Sequence, residues 1–373
     1  MSGSARFATR LSFLVAGFGI ACWAPLVPIV KERLAIDDAT LGLLLLCIGA
    51  GSVVAMIATG PLSARLGSRP IIMSGGVALA LLLPLLPLAG SATMLAGLLL
   101  LFGAALGSLD VAMNIHAVEV ERSAARPLMS GFHALFSVGG FAGASAMTLF
   151  LTARVAPALG AAVCAALMLA TMLVACPRLL RTGGAEEGPL LAVPRGAVLL
   201  LALLALVTFL VEGAMLDWGA LLIAQRALVA PDRAGLGYIL FSVAMTAGRF
   251  AGDAVITRWG ERRTIAASGT LTVLGFALLL LAPTPTALGG FVLIGLGAAN
   301  VVPVLFRRAG AQTVMPAPLA IGAVTTLGYA GVLVGPAAIG FVADAVGLVA
   351  AFWLLALLML AVPLSAARVA RMT

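Results

Sequence analysis

Charged residues are scarce in this sequence. Asp, Glu, Lys and Arg make up 10% of the 373 residues, whereas soluble globular domains carry roughly a quarter. Hydrophobic residues reach 62%, and the mean hydropathy is +1.19. Because so few polar side chains cannot cover a water-exposed surface, we expect the chain to lie in a lipid bilayer. It has no room for a sizeable soluble domain or for a soluble enzyme.

Lysine and histidine are rarer still. The single lysine, Lys31, is followed by Glu32, so the chain has no Gly-Lys-Ser/Thr phosphate-binding loop. An ATP-driven pump on this chain is therefore excluded. The sequence has two histidines, and they form no His-Glu-x-x-His motif. We expect no enzymatic activity, no resident metal and no cofactor.

Cysteine and aromatic residues are also few. The four cysteines lie in or beside apolar runs, without disulfide or metal-ligand spacing: Cys22, Cys47, Cys164 and Cys176. Basic residues give a net charge of +8, but they neither cluster in one region nor alternate with aromatic side chains, which make up 6%. We expect no nucleic-acid partner.

Polar breaks divide the apolar sequence into segments of about 20 residues, the length that crosses a bilayer as a helix. Eleven breaks fall near residues 31–39, 64–70, 89–93, 120–127, 153–157, 178–195, 226–234, 258–264, 282–286, 307–316 and 344–347. They predict an all-α integral membrane protein with twelve transmembrane helices. Prolines inside the spans, among them Pro25 and Pro303, predict kinks because proline cannot donate a backbone hydrogen bond.

The basic residues also predict the orientation of the chain. With a cytoplasmic N-terminus, most of the 22 basic residues fall on the inner side, as the positive-inside rule requires. The outer loops hold only Lys31, Arg33, Arg154, Arg226 and Arg233. We therefore expect both termini in the cytoplasm. The preference for alanine and arginine is typical of a GC-rich bacterial genome, and we expect the protein in a bacterial inner membrane.

A short motif that occurs in both halves of the chain indicates a duplication. Arg65–Arg69 (RLGSR) recurs as Arg258–Arg262 (RWGER), at an offset of 193 residues. The longest polar break, which contains several glycines and prolines, lies between the two copies. The sequence predicts an N-terminal six-helix half at 1–180, a cytoplasmic linker at 181–195 and a C-terminal six-helix half at 196–373.

The first copy lies in Gly60–Arg69 (GPLSARLGSR), which resembles the Gly-x-x-x-Asp-Arg-x-Gly-Arg-Arg-type loop of the major facilitator superfamily. Ala64 stands where the family has its acid, and Thr257 stands there in the second copy. Gly331–Pro336 (GVLVGP) is similar to the eleventh helix of the family. The resemblance spans the whole chain and implies a monomeric secondary transporter that moves a small solute by alternating access.

Four further segments resemble the branch that contains the fucose–proton symporters and uncharacterised bacterial relatives: Trp23–Pro28, Asp110–Asn114, Gly131–Ser137 and Glu212–Trp218. This resemblance implies symport of protons with a sugar-like or other small polar metabolite. Gly139–Gly143 lacks the proline that is typical of drug–proton antiporters, although efflux antiport stays an alternative. A non-transporting relative that acts as a receptor or a channel is a third interpretation.

Charged side chains within the predicted spans are the candidates for proton coupling. A charge at the bilayer centre costs about 2.5–3.5 kcal/mol, so it must be paired, hydrated or functional. Asp110 and Glu212 lie at such depths. A low-dielectric cavity favours the protonated carboxyl group, as a proton carrier requires. For Asp110 the alternative is a packing role, because Gly103 and Gly107 share its helix face.

The remaining candidates form two groups. Substrate-cavity candidates are Trp23, Asn114, Asp217, Trp218 and Asn300. Glu212 and Asp217 lie about 140° apart around a helix, so both cannot face one wall. An inner gate or a structural charge network is expected from His133, Arg249, Asp253, Arg65, Arg69, Arg258 and Arg262. The alternative for Arg249 and Asp253 is a simple i, i+4 pair on one helix.

Overall fold

A computed structural model describes residues 2–181, 193–229, 235–283 and 286–372. Across these ranges the chain is helical and contains no β-strand. The helices are α1 (Ser2–Trp23), α2 (Val27–Leu34), α3 (Asp38–Leu66), α4 (Ser68–Leu82), α5 (Ala92–Ala124), α6 (Met129–Thr152), α7 (Pro157–Ala175), α8 (Ala197–Asp217), α9 (Gly219–Gln225), α10 (Leu236–Leu281), α11 (Leu288–Ala298), α12 (Val301–Ala311), α13 (Ala317–Val346), α14 (Leu348–Met359) and α15 (Ala361–Val369). Short 3-10 segments cover Ala24–Leu26, Leu83–Leu88 and Cys176–Arg178.

Eleven helical stretches in the described residues are long and apolar enough to cross a membrane. One of them, α10, is 46 residues long and contains a non-helical residue, Gly260, with φ 74° and ψ 161°. A positive φ favours glycine because a Cβ atom would be strained there. Gly260 lies in the polar break predicted at 258–264. The all-helical membrane architecture is confirmed, and the number of twelve helices stays a prediction.

Large apolar side chains cover the outside of the molecule. Val54 is 71% exposed, Leu149 is 68% exposed and Phe341 is 78% exposed. A soluble monomer rarely exposes so many large apolar side chains. In a bilayer the same side chains contact lipid tails, so the exposed apolar surface and the apolar helices together indicate a multi-pass membrane protein.

The chain forms two compact units. Unit 1 comprises Met1–Ala125, Phe132–Val193 and Pro318–Gly322, and unit 2 comprises Arg126–Gly131, Pro194–Ala317 and Ala323–Thr373. The first turn of α6 therefore belongs with unit 2, and the first turns of α13 belong with unit 1. Of the predicted linker, residues 182–192 lie outside the described residues. The boundaries proposed from the sequence thus stay predictions.

Within unit 1, glycines bring α3 and α5 into backbone contact. A Cβ atom on Gly103 would overlap the backbone of Ile48, and one on Gly107 would overlap Ser52. The Ser52 hydroxyl donates a 2.8 Å hydrogen bond to the Gly103 carbonyl. Small residues permit such close helix approach in membranes. Gly103 and Gly107 therefore form a close packing seam with α3. The polar candidates Asp110 and Asn114 lie further along the same face of α5.

We predict that Gly103→Ala lowers the free energy of unfolding by about 1–3 kcal/mol, because the added methyl group has no space. Gly97→Ala is the matched control on the same helix, since nothing lies within 4 Å of a Cβ atom at that position. The control variant should be neutral or stabilising by up to about 1 kcal/mol, as alanine is the better helix former. Thermal unfolding in detergent measures the stability of both variants. Equal changes in stability would contradict the close packing of α3 and α5 at Gly103.

Three spans are interrupted close to candidate residues. The 3-10 segment that contains Pro25 separates α1 from α2 directly after Trp23. Trp218, with φ −115° and ψ −12°, separates α8 from α9. Ala299 and Asn300 separate α11 from α12, and Pro303 follows. Interrupted helices in transporters leave polar groups available at membrane depth.

Candidate functional site

Asp110 and Asn114 form a buried polar pair on α5 in unit 1. Asp110 is 9% exposed and Asn114 is fully buried. Asn114 Nδ2 donates to the Asp110 carbonyl at 2.9 Å and contacts Asp110 Oδ1 at 3.3 Å. Asn114 Oδ1 has no hydrogen-bond partner among the described residues. The amide therefore holds Asp110 in place and keeps one acceptor available.

Trp23 is buried at the interruption between α1 and α2. Its side chain is 3% exposed, and its indole Nε1 finds no acceptor within the described chain. A buried indole N–H usually has a hydrogen-bond partner, because burying it unsatisfied costs free energy. Trp23 therefore offers a donor as well as an aromatic surface.

Glu212 and Arg249 form an ion pair in unit 2. Arg249 Nη2 lies 3.6 Å from Glu212 Oε2, and the two side chains are 8% and 19% exposed, respectively. Charge-assisted N–H···O hydrogen bonds are shorter, at about 2.7–2.9 Å. Glu212 Oε1 is buried without a hydrogen-bond partner in the described part of the chain. The carboxylate is thus held by charge more than by hydrogen bonding.

Asp217 and Trp218 lie at the end of α8, and their environments differ. Asp217 is exposed. The Trp218 ring packs on Gly340 of α13, with ring carbons 3.3 and 3.4 Å from where a Cβ atom would stand. Its Nε1 atom is buried and has no acceptor in the described ranges. Trp218 resembles Trp23 in this respect, and both lie at a helix end: Trp23 is the last residue of α1, and Trp218 follows α8.

Asn300 lies against α10 beside Gly252. Asn300 Nδ2 donates a 3.1 Å hydrogen bond to the Gly248 carbonyl. A Cβ atom on Gly252 would overlap both Asn300 Oδ1 and the side chain of Ser130. Asn300 Oδ1 and Ser130 Oγ are buried, and neither has a partner among the residues that the structure describes. Glycine is required at position 252 because two polar side chains contact the backbone there.

Asp253 caps the first turn of α6. Its Oδ1 accepts from the backbone N–H of Ser130 at 3.1 Å, and its Oδ2 accepts from that of Gly131 at 2.9 Å. The first N–H groups of a helix lack intrahelical partners and carry the positive end of the helix dipole. A carboxylate is therefore well placed at this position. The sequence suggested Arg249 as a partner of Asp253 but gave no sign of this cap.

The loop arginines are mostly exposed. Arg65, Arg258 and Arg262 are exposed, while Arg69 Nη2 contacts Cys176 Sγ at 3.6 Å. Sequence reasoning missed Glu261, the acidic residue of the second loop. It accepts from Arg307 Nη1 at 3.0 Å and pairs with Arg308. Arg308 also donates to the Met372 carbonyl at 3.0 Å. Glu261 thus links the second loop to the C-terminal part of α12 and, through Arg308, to Met372.

His116 is a second residue that the sequence reasoning missed. It is fully buried, and its Nε2 accepts from the Leu180 backbone N–H at 2.9 Å. Nδ1 then carries the proton and donates to Thr9 Oγ1 at 3.0 Å. The Thr9 hydroxyl in turn donates to the Ala5 carbonyl at 2.8 Å. A neutral imidazole therefore ties α1 and α5 to the residues where the predicted linker begins.

His133, predicted for the gate, packs in unit 1 against an aromatic ring. Its imidazole meets Phe13 edge-on, with ring centroids 5.2 Å apart. Phe13 also stacks on Phe132 at 5.8 Å. The side chain is 9% exposed. Its surroundings are thus aromatic on one side.

Apolar helices that bury carboxyl groups and amides, with indoles and a further amide at helix interruptions, are typical of polytopic membrane proteins of the transporter class. The Major Facilitator Superfamily matches residues 11–227. An uncharacterized MFS-type transporter of Yersinia pestis is 46% identical over 370 residues, which cover 99% of this chain and 96% of that protein. An uncharacterized transporter of Sinorhizobium fredii is 37% identical over 351 residues, covering 92% and 93%.

The chain belongs to the Major Facilitator Superfamily of transporters. Among solved structures, FucP in its outward conformation has a TM-score of 0.78, with 18% identity over 97% of this chain and 98% of that chain. At this identity the likeness concerns the fold alone. The resemblance seen in Gly60–Arg69 and Gly331–Pro336 is confirmed at the level of the superfamily.

Proposed function

We propose that the protein is a proton-coupled secondary transporter that carries a small polar, sugar-like solute across a bacterial inner membrane by alternating access. Both termini lie in the cytoplasm, and the chain has twelve spans in two halves. The residues assigned to solute binding are Trp23 and Asn114 within unit 1, and Asp217, Trp218 and Asn300 within unit 2. The fold similarity to FucP, described as the Escherichia coli fucose:proton symporter, supports this assignment.

One observation carries the proposal. Each unit buries one indole N–H and one amide oxygen that lack partners in the described ranges: Trp23 with Asn114 in unit 1, and Trp218 with Asn300 in unit 2. Buried polar atoms nearly always have a hydrogen-bond partner. A buried polar atom that lacks one therefore indicates a place for a ligand or for water. Hydroxyl groups both donate and accept, and a hydroxylated solute satisfies donors and acceptors together.

Proton coupling is assigned to Glu212 and Asp110. Protonation neutralises a carboxylate in a low-dielectric site and thereby favours one of two conformations, which is the differential interaction that any switch needs. Asn114 positions Asp110, and Arg249 positions Glu212. Each carboxyl group thus contacts a polar side chain, Asn114 or Arg249, whose interactions change when the carboxyl group gains or loses a proton.

An inner gate is assigned to the Asp253 cap, together with Arg249 of unit 2 and His133 of unit 1. The cap holds the first turn of α6 in one conformation and is released in the other. Because a helix N-terminus attracts a carboxylate, the cap stabilises the state in which it forms. Arg65, Arg69, Arg258 and Arg262 are assigned to the same gate or to a structural charge network in the two loops.

Proton movement on solute addition tests the proposal. The wild-type protein, purified in lightly buffered detergent solution, is mixed with sugars, sugar acids, amines and dyes. We expect one class of polar solute to change the pH, in proportion to the protein added. Proton movement with dyes or lipophilic cations alone would favour an efflux antiporter. Binding without any proton movement would contradict coupling and favour a uniporter or a receptor-like protein.

A further inference from the structure

Two buried oxygen atoms of unit 2 lie together beside Gly252 of α10. Ser130 is fully buried, and Asn300 is 7% exposed. A Cβ atom on Gly252 would overlap Asn300 Oδ1 and stand 2.6 Å from Ser130 Oγ, so both oxygens lie close to one point on the helix. Neither oxygen has a hydrogen-bond partner among the described residues. Such a pair of buried oxygens indicates a place for a ligand or for water.

Hydrogen bonds to the backbone hold both groups in position. Asn300 Nδ2 donates to the Gly248 carbonyl at 3.1 Å, which leaves the amide oxygen as the atom beside Gly252. The backbone N–H of Ser130 donates to Asp253 Oδ1 at 3.1 Å. The amide oxygen only accepts hydrogen bonds, whereas the Ser130 hydroxyl both donates and accepts. The two oxygens thus present one acceptor and one group that can take either role.

This pair of oxygens matches a neutral hydroxyl group. A hydroxyl can donate to the Asn300 amide oxygen and accept from the Ser130 hydroxyl, so that both are satisfied at once. A divalent metal ion takes about six or more oxygen ligands and prefers carboxylates. An ammonium group needs a counter-charge when it is buried. Asn300 and Ser130 carry no charge, and the Asp253 carboxylate already accepts two hydrogen bonds from α6.

We propose that a hydroxyl group of the solute binds between Asn300 Oδ1 and Ser130 Oγ, and that this contact links solute binding to the Asp253 cap. The inference rests on the proposed transport of a sugar-like solute. It adds Ser130, which the sequence did not suggest, as a specificity-determining residue. It also names the chemical group of the solute that Ser130 and Asn300 recognise.

The position of Ser130 connects this hydroxyl to the proposed gate. Ser130 lies in the first turn of α6, and the Asp253 carboxylate accepts from the backbone N–H groups of that turn. Release of the cap frees this turn, so Ser130 and Asn300 no longer hold one ligand group between them. A solute that bridges the two side chains therefore stabilises the capped conformation. By linkage, the cap raises the affinity for the solute by the same factor.

The binding test compares sugars with analogues that lack a single hydroxyl. D-galactose, D-glucose, D-xylose and L-fucose are titrated into the wild-type protein by calorimetry, each beside its monodeoxy analogues. We expect at least one monodeoxy analogue of a sugar that binds to have an affinity about tenfold to a hundredfold lower. Its missing hydroxyl leaves the buried oxygens of Asn300 and Ser130 without a partner.

Ser130→Ala identifies which hydroxyl the site holds. The variant should bind the parent sugar about tenfold more weakly, and its preference for the parent over that one analogue should fall at least about threefold. A merely structural role would weaken the binding of the sugar and of all its analogues equally. Thermal stability should not fall, because Ser130 Oγ makes no hydrogen bond within the described chain. Ser145→Ala removes an exposed hydroxyl from the same helix and should bind every probe like the wild type.

Amide hydrogen exchange tests the link to the gate on the wild-type protein alone. A saturating concentration of the sugar that binds should slow exchange in residues 126–137 by roughly threefold to tenfold, because each hydrogen bond that holds the first turn of α6 opposes its opening. The same sugar should slow exchange less in Ser130→Ala than in Ser145→Ala. This comparison separates the Ser130 contact from a general effect of solute binding.

Three results would overturn the inference, and only the last affects the proposed function. Equal preferences for parent and analogues in Ser130→Ala and the wild type would show that water, and not the solute, lies between Ser130 and Asn300. Unchanged exchange in residues 126–137 on sugar binding would refute the link to the cap. Either result leaves transport of a sugar-like solute intact, because the sugar still binds. If no sugar of the panel binds the wild-type protein, the proposed sugar-like solute fails together with this inference.

Discussion

Replacing Glu212 by Gln is expected to abolish uphill accumulation of solute driven by a pH gradient. One pH unit supplies about 1.4 kcal/mol per proton, which supports about a tenfold solute gradient when one proton is coupled. The amide cannot release or bind the proton, so the solute should only equilibrate across the membrane. Uptake of labelled solute into proteoliposomes, with and without the gradient, measures this loss.

Asp110→Asn completes the same experiment in unit 1. It removes the charge of the other buried carboxyl group, and we expect coupled uptake to fall there as well. Asp344→Asn is the control, because Asp344 is an exposed carboxyl group on α13. It should accumulate solute like the wild type. Full accumulation by both Glu212→Gln and Asp110→Asn would show that neither acid carries the coupled proton.

Replacing Asp253 by Asn is expected to free the first turn of α6. The carboxylate accepts hydrogen bonds from Ser130 and Gly131, and hydrogen bonds to a charged group contribute about 1.5–3 kcal/mol. Losing one of them and the charge should raise amide hydrogen exchange in residues 126–137 by roughly tenfold to a hundredfold. Hydrogen–deuterium exchange with mass spectrometry resolves this segment.

The control for Asp253→Asn is the removal of a charge five residues further along α10, at Arg258. Arg258→Gln alters an exposed side chain of the second loop and should leave exchange at residues 126–137 unchanged. Coupled transport should slow in Asp253→Asn, because the cap belongs to the proposed gate. Unchanged exchange in Asp253→Asn would remove Asp253 from the gate.

The fold and several candidate residues could be predicted from local sequence. Apolar segments of membrane length mark the helices, and Pro25 and Pro303 lie next to two of the interruptions. Asp110 and Glu212 stand out because a charge inside an apolar span is costly and rare. Asn114 could be predicted from its spacing, since its amide follows Asp110 by one helical turn and shares its helix face. These signals need no knowledge of distant contacts.

The contacts made by Asp253, Glu261 and His116 could not be predicted in this way. Asp253 caps residues 122 and 123 positions away, and Glu261 pairs with arginines 46 and 47 positions away. His116 bonds to Thr9 and Leu180 across 107 and 64 positions. Helical periodicity describes one helix face and says nothing about the element that packs on it. Such partners emerge only when the helices have been placed.

Hydrogen-bond satisfaction is the other property that the sequence hides. Trp23 and Trp218 could be packing residues or a solute platform, and composition does not separate these roles. In the structure both indole nitrogens are buried without an acceptor among the described residues. An unsatisfied buried donor is costly, so its presence favours a ligand-binding role over packing. This distinction depends on where every nearby acceptor lies.

Uphill accumulation of solute by the wild-type protein tests the central claim most directly. Proteoliposomes with an imposed pH gradient are given the solute that moved protons in detergent, and its internal concentration is followed with and without a proton ionophore. The account predicts accumulation above the external concentration that collapses when the ionophore is added. Equilibration to equal concentrations regardless of the gradient would contradict proton-coupled transport.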